Sequence, residues 1–152
     1  MLYDYEKSPV ANDALVHGTR AKRSYPLRVL IADENRQFRE FIRRRLEHEA
    51  DFEVVGEVFS GSDFLPLARQ VKPDVILVDI ALSGMAGLEG ARRIKTEMSS
   101  TAIIFLSVVE EDALRDAAAR YGADDFLTKD VLTSELFSRI RRRAARATPG
   151  GY

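Results

Sequence analysis

The 152-residue chain has no cysteine and no tryptophan, and only two histidines, His17 and His48. Without cysteine, disulfide scaffolds, thiolate zinc sites and cysteine nucleophiles are excluded. Two imidazoles are too few for a histidine-rich metal site. An excess of either charge is also missing, since 23 Lys and Arg face 24 Asp and Glu for a formal charge of −1. Such balance gives no electrostatic reason to bind nucleic acid or a membrane surface. No apolar run approaches the ~18 residues of a bilayer span. The first residues, MLYDYEKSPV, lack the basic-then-apolar build of a signal peptide. The length suits one domain, since domains run to ~100–200 residues, and a soluble cytoplasmic one is expected.

Three stretches differ in pattern. Residues 1–26 mix charges, Pro9 and Gly18 so that no apolar period develops, which predicts a flexible extension with at most a short helix over Asn12–His17. Residues 148–152 predict a loose tail. Between them, residues 27–147 alternate short apolar runs with helical stripes. The runs are Leu27–Ala32, Glu53–Val58, Asp74–Val78, Ala102–Leu106 and Asp124–Leu127. Consecutive apolar positions suit strands covered on both faces, as in a parallel sheet. The stripes include Phe38, Phe41, Ile42 and Leu46 early and Leu136, Ile140, Ala144 and Ala147 late. Ser62 and Thr133 fit N-caps, and Gly122 fits a helix C-terminus. Five such alternations predict an open α/β sandwich with right-handed crossovers. A barrel of eight units would need about 250 residues.

In open sheets of this kind, ligands gather beyond the carboxyl ends of the strands. The first run ends in Asp33-Glu34, the third in Asp79, the fourth in Ser107, and Lys129 closes the fifth. Singly, each has a plain structural role, as a cap, a turn residue or a surface charge. Together, three carboxylates, a hydroxyl and an ammonium on one rim describe a divalent-cation and phosphoryl site. Mg²⁺ is satisfied by one or two carboxylates, waters and phosphate oxygens. An aspartate can attack phosphorus directly, and the transferred group is then stabilised by positioning and neutralisation of charge. None of this needs histidine or cysteine.

The segments LRVLIADEN, PDVILVDIALSGMAGLE, IIFLS and GADDFLTKD resemble the receiver domain of two-component response regulators. The Lys129-Asp130 pair resembles the receivers of LuxR/NarL-type regulators in particular. The resemblance implies a flavodoxin/CheY-like, doubly wound, five-stranded parallel sheet of order 2-1-3-4-5 with helices on both faces. It implies Asp79 as phosphoacceptor, a Mg²⁺ cofactor held by Asp33, Glu34, Asp79 and the backbone carbonyl of Ala81, and phosphoryl contacts from Ser107 and Lys129. Glu34 would touch the metal directly and Asp33 through water. Ser107 and Phe126 would form the switch, the ring turning inward after Ser107, although plain core packing explains Phe126 equally well. A sensor histidine kinase would be the phosphoryl source, and the domain itself would not be an enzyme.

Departures from the family pattern are local. Leu82 and Ser83 stand where Met and Pro are usual, and Ser83 is expected to loosen the loop because proline would restrict it. Ala81 has no side chain to orient water, and Val108 is bulkier than the usual residue, so a long-lived phosphorylated state is expected. The last helix carries Arg139, Arg141, Arg142, Arg143 and Arg146, and the first carries Arg36, Arg39, Arg43, Arg44 and Arg45. Most of these charges suit a solvated face. A homodimer through the fourth helix, fifth strand and fifth helix, or through the basic first helix, is the alternative. No direct nucleic acid contact and no membrane contact are expected of this domain, although a DNA-binding output domain would follow it in a longer regulator. Two rivals remain: an aspartyl-phosphate hydrolase, disfavoured by Ala81 at the position of its general acid, and a receiver-like scaffold that binds partners without phosphorylation.

Overall fold

A computed structural model of the chain describes residues 25–83, 86–131 and 133–147. The expected extension 1–26 (save its last two residues), the Asn12–His17 helix and the tail 148–152 lie outside the described residues. The elements run β1 (Leu27–Ala32), α1 (Arg36–Glu47), β2 (Phe52–Val58), α2 (Gly61–Val71), β3 (Val75–Asp79), α3 (Ala86–Glu97), β4 (Ala102–Ser107), α4 (Asp112–Arg120), β5 (Asp125–Thr128) and α5 (Thr133–Ala147). All strand pairs are parallel, and the order is β2-β1-β3-β4-β5. The expected doubly wound fold is therefore present.

Side chains alternate between the two faces along each strand, and both faces are covered. Val29, Ile31, Leu77 and Ile104 pack against Ile42 and Leu46 of α1 and against Leu136, Phe137 and Ile140 of α5. Leu30, Ile76, Ile103 and Phe105 pack on the other side against Phe64 of α2, Leu88 and Ile94 of α3, and Ala118 of α4. Two-sided burial is why the central strands have no polar alternation. β2 lies at one edge, with Glu53 exposed and a register shift opposite Val29 and Leu30. β5, at the other edge, has only 4 residues.

Helix boundaries follow local hydrogen bonding. Asn35, rather than Asp33, caps α1, its side chain accepting from the Phe38 N–H. Ser60 rather than Ser62 precedes α2, and its hydroxyl turns to Asp63 instead of capping the backbone. Gly122 follows α4 at φ +94°, a conformation that glycine adopts without strain.

The basic helices are tied to acids of their own chain. Arg39 and Arg43 of α1 both reach Glu57 of β2, and Arg141 of α5 reaches Asp51. Arg139 and Arg143 converge on Asp125, whose side chain is 5% exposed. Burial alone would push the Asp125 carboxyl up. Hydrogen bonds from Arg143, Arg139 and the Phe126 N–H outweigh it and hold the carboxyl below its ordinary value. A carboxyl lowered by folding adds stability above its unfolded pKa of about 3.9, and this is lost as pH falls through the lower folded value. Asp125→Asn should therefore be less stable than the wild type at pH ~7, with the difference closing below pH ~4. Urea unfolding at neutral and acid pH measures both differences. An equal difference at the two pH values would contradict the assignment.

Candidate functional site at the carboxyl edge of the sheet

Parallel strands end on one edge, and this brings the charged residues together. Asp33 follows β1, where its N–H donates to the Val58 carbonyl at 2.8 Å. Asp79 is the last residue of β3, adjacent to β1 in the sheet. Ser107 ends β4, and its carbonyl accepts the Lys129 N–H at 2.7 Å, extending the β4–β5 ladder by one residue. Lys129 thus starts beside β4, and its long side chain crosses to β3 and β1.

Its ammonium lies 2.7 Å from Asp33 Oδ2 and 3.3 Å from Asp79 Oδ2. The three side chains are 12%, 2% and 16% exposed for Lys129, Asp33 and Asp79, so salt screens them little. Asp33 Oδ2 is buried, and its contact with the ammonium is an ion pair without directed hydrogen-bond geometry. The other Asp33 oxygen accepts the Asn35 N–H, and the other Asp79 oxygen accepts the Ala81 N–H. Two carboxylates on one ammonium leave an excess of negative charge facing the rim.

That excess, the hard oxygen donors and the undirected Asp33 oxygen suit a divalent cation such as Mg²⁺. Asp33 and Asp79 are the two acids of the expected set that converge. Glu34 is exposed and turned aside, its Oε1 accepting from both the N–H and the hydroxyl of Ser83. Among the described residues, no three acidic or histidine side chains stand close enough together to hold a metal ion as they are placed. Ser83, expected to loosen its loop, instead ties it, which corrects that reading.

Ser107 is 2% exposed, and its hydroxyl accepts the Val109 N–H at 3.2 Å. Phe126 is 4% exposed and packed in the core, with the Arg115 guanidinium 4.9 Å from its ring centre. The ring is therefore already inward. Val108 is exposed, its side chain away from the core.

Three contributors escape sequence reasoning. Phe38 lies under the Lys129 ammonium, 4.5 Å from ring centre to nitrogen, and favours the charged head where it sits. Its place in the α1 stripe marked it only as core. Arg39 donates to the Asp33 carbonyl at 2.8 Å and so fixes the turn that carries the acids. Ser83 is the third, 49 residues from its Glu34 partner.

A doubly wound five-stranded parallel sheet with two acids and a half-buried lysine at its carboxyl edge defines a CheY-like receiver fold. Residues 29–141 match the response regulator receiver domain family. The transcriptional regulatory protein YxjL of Bacillus subtilis is 36% identical over 118 residues, spanning 78% of this chain and 54% of YxjL. The solved receiver domain of NarL from Mycobacterium tuberculosis superposes with a TM-score of 0.75 at 30% identity, covering 80% of this chain and 98% of that one. A LuxR-family two-component response regulator from Aurantimonas sp. SI85-9A1 gives a TM-score of 0.74 at 26% identity, with 80% and 86% covered. The chain belongs to the response regulator receiver family, among relatives of the LuxR/NarL type that the Lys129-Asp130 pair implied. It is a receiver domain of a two-component response regulator, a signalling module rather than an enzyme. It spans about half the length of the curated relatives it matches. None of the described helices is long and apolar enough to cross a membrane.

Proposed function

We propose that residues 27–147 form a phospho-accepting switch in which Asp79 takes a phosphoryl group from a sensor histidine kinase. The observation that carries this reading is the Lys129 ammonium held between Asp33 and Asp79 at the rim. An Asp79 carboxylate oxygen attacks phosphorus and the new O–P bond forms as the P–N bond to the kinase imidazole breaks; the imidazole leaves neutral, its other ring nitrogen having first taken a proton from water. Lys129 neutralises charge on the phosphoryl oxygens, and the Ser107 hydroxyl, which accepts from Val109, has its own O–H to donate to one of them. Asp33, Glu34, Asp79 and the Ala81 carbonyl are the proposed ligands of Mg²⁺, which would supply further neutralisation of the phosphoryl oxygens. Ser107 and Phe126 then carry the change to the α4–β5–α5 face, where Arg115 already covers the Phe126 ring. A homodimer on that face, or on basic α1, is the proposed readout, and a cytoplasmic site of action fits a kinase partner.

One observation favours a second reading, a scaffold that binds partners without phosphorylation. Phe126 is buried in the core beside Arg115, as a ring with a fixed packing role would be.

Incubation with a small-molecule phosphodonor and Mg²⁺, followed by intact mass, separates the two. One phosphoryl should be gained by the wild type and none by Asp79→Asn. No gain by the wild type would favour the scaffold, and a gain surviving Asp79→Asn would move the acceptor elsewhere.

A further inference from the structure

Ser83 has backbone and side-chain features that its place in the loop does not require. It stands at φ +42°, a left-handed conformation that costs a residue with a Cβ about 1–3 kcal/mol and persists only where surroundings impose it. Two of its groups grip one oxygen: the N–H and the hydroxyl donate to Glu34 Oε1 at 2.6 and 3.0 Å. Hydrogen bonds to a carboxylate are shorter and stronger than neutral ones. The same hydroxyl accepts the Gly61 N–H at 2.9 Å, so it also holds the first residue of α2. A Cβ at position 61 would lie 2.7 Å from the Ser83 Cβ, and only glycine allows this approach. A chain of contacts thus runs from the acidic pair after β1, through Ser83, to the start of α2.

Glu34 is an exposed carboxylate next in sequence to buried Asp33, yet its charge is spent on Ser83 rather than on the rim. We propose that Ser83 is a positioning residue that competes with a divalent cation for the Glu34 carboxylate. Loading the acidic pocket then releases Ser83 and loosens the segment after β3 from the start of α2. The proposal rests on the reading of that pocket as a Mg²⁺ site, and it adds a residue that holds one of the ligands in reserve. It makes occupancy of the pocket felt at α2, a helix that contributes no residue to the site. Proline at position 83 could do neither, having no N–H and a φ fixed near −65°.

The test is a titration with Mg²⁺ alone, at constant ionic strength, followed by backbone amide resonances. Ser83→Ala removes the hydroxyl and keeps the N–H. Losing one exposed, charge-assisted competitor should tighten Mg²⁺ binding by about three- to tenfold. In the wild type, Mg²⁺ should shift the amides of Ser83 and Gly61 along with those of Asp33 and Asp79. In a Glu34→Gln background, Ser83→Ala should no longer change the affinity, since the coupling needs both groups. A merely structural role for Ser83 predicts the opposite sign, because a loosened loop binds more weakly. If the wild type binds Mg²⁺ but Ser83→Ala binds equally or less tightly, the competition is refuted while the pocket stands. If the wild type shows no shift at Asp33 or Asp79, the pocket itself fails and the competition with it. Thermal melting of Ser83→Ala confirms that each comparison is made on folded protein.

Discussion

Replacing Lys129 with methionine is expected to slow phosphoryl incorporation at Asp79 by about 10²–10³-fold, the range found when one preorganised donor to a developing charge is removed. The side chain keeps its length and most of its apolar stem, so the packing over Phe38 is retained while the charge is lost. What remains is Asp33 and Asp79 facing one rim without their shared ammonium. Breaking a buried ion pair from one side costs about 3–5 kcal/mol, since a charge stays behind uncompensated. The variant should therefore lose stability as well as rate. Intact-mass time courses at saturating Mg²⁺ give the first effect and urea unfolding the second. Lys129→Arg should not restore the rate, because a planar fork cannot replace a compact ammonium between two acids. Wild-type incorporation in Lys129→Met would remove the lysine from the chemistry.

The second large effect is expected far from the rim. Phe105 of β4 is fully buried between α3 and α4 on one face of the sheet. Truncation to alanine removes a large apolar surface and leaves a cavity, at a cost of about 3–5 kcal/mol. A domain of this kind is stable by only about 5–15 kcal/mol in total. The urea midpoint should fall sharply with little change in slope. Phe41, on the outer face of α1 and 46% exposed, is the control, and its truncation should cost less than about 1 kcal/mol. Equal losses at the two positions would contradict the core assignment.

How far the sequence foretold these features varied with the range of the interactions. Strands covered on both faces announce themselves as unbroken apolar runs, and all five were found within about a residue of where those runs lie. The small errors have local causes. Asp74 stands one residue before β3, its N–H donating to the Arg28 carbonyl, its carbonyl accepting the Ala102 N–H and its carboxylate accepting the Arg28 N–H. Ser62 was expected to cap α2, but Ser60 holds that position, its hydroxyl donating to Asp63 rather than accepting a backbone N–H.

At the site, residue types at the strand ends named Asp33, Asp79 and Lys129, since a parallel sheet must bring those ends together. Side-chain direction was not legible. That Glu34 faces Ser83, that Phe38 lies beneath the lysine, and that Phe126 already points inward all depend on contacts between segments distant in sequence. Composition and periodicity carry no information on such pairings. The family pattern identified the position of Ser83 as unusual but gave the wrong sense, because the loss of proline suggested slack where the structure has hydrogen bonds.

The margins of the sheet have a bearing on solubility. A β-sheet that is not closed exposes backbone donors and acceptors along its two outer strands, and a neighbouring molecule can extend it. Here one outer strand is only 4 residues long, and the other carries acidic side chains and an irregular register. Neither offers the long, flat, uncharged template that aggregation by strand addition requires. Both margins of the sheet are thus protected against the strand-by-strand growth that ends in irreversible aggregates.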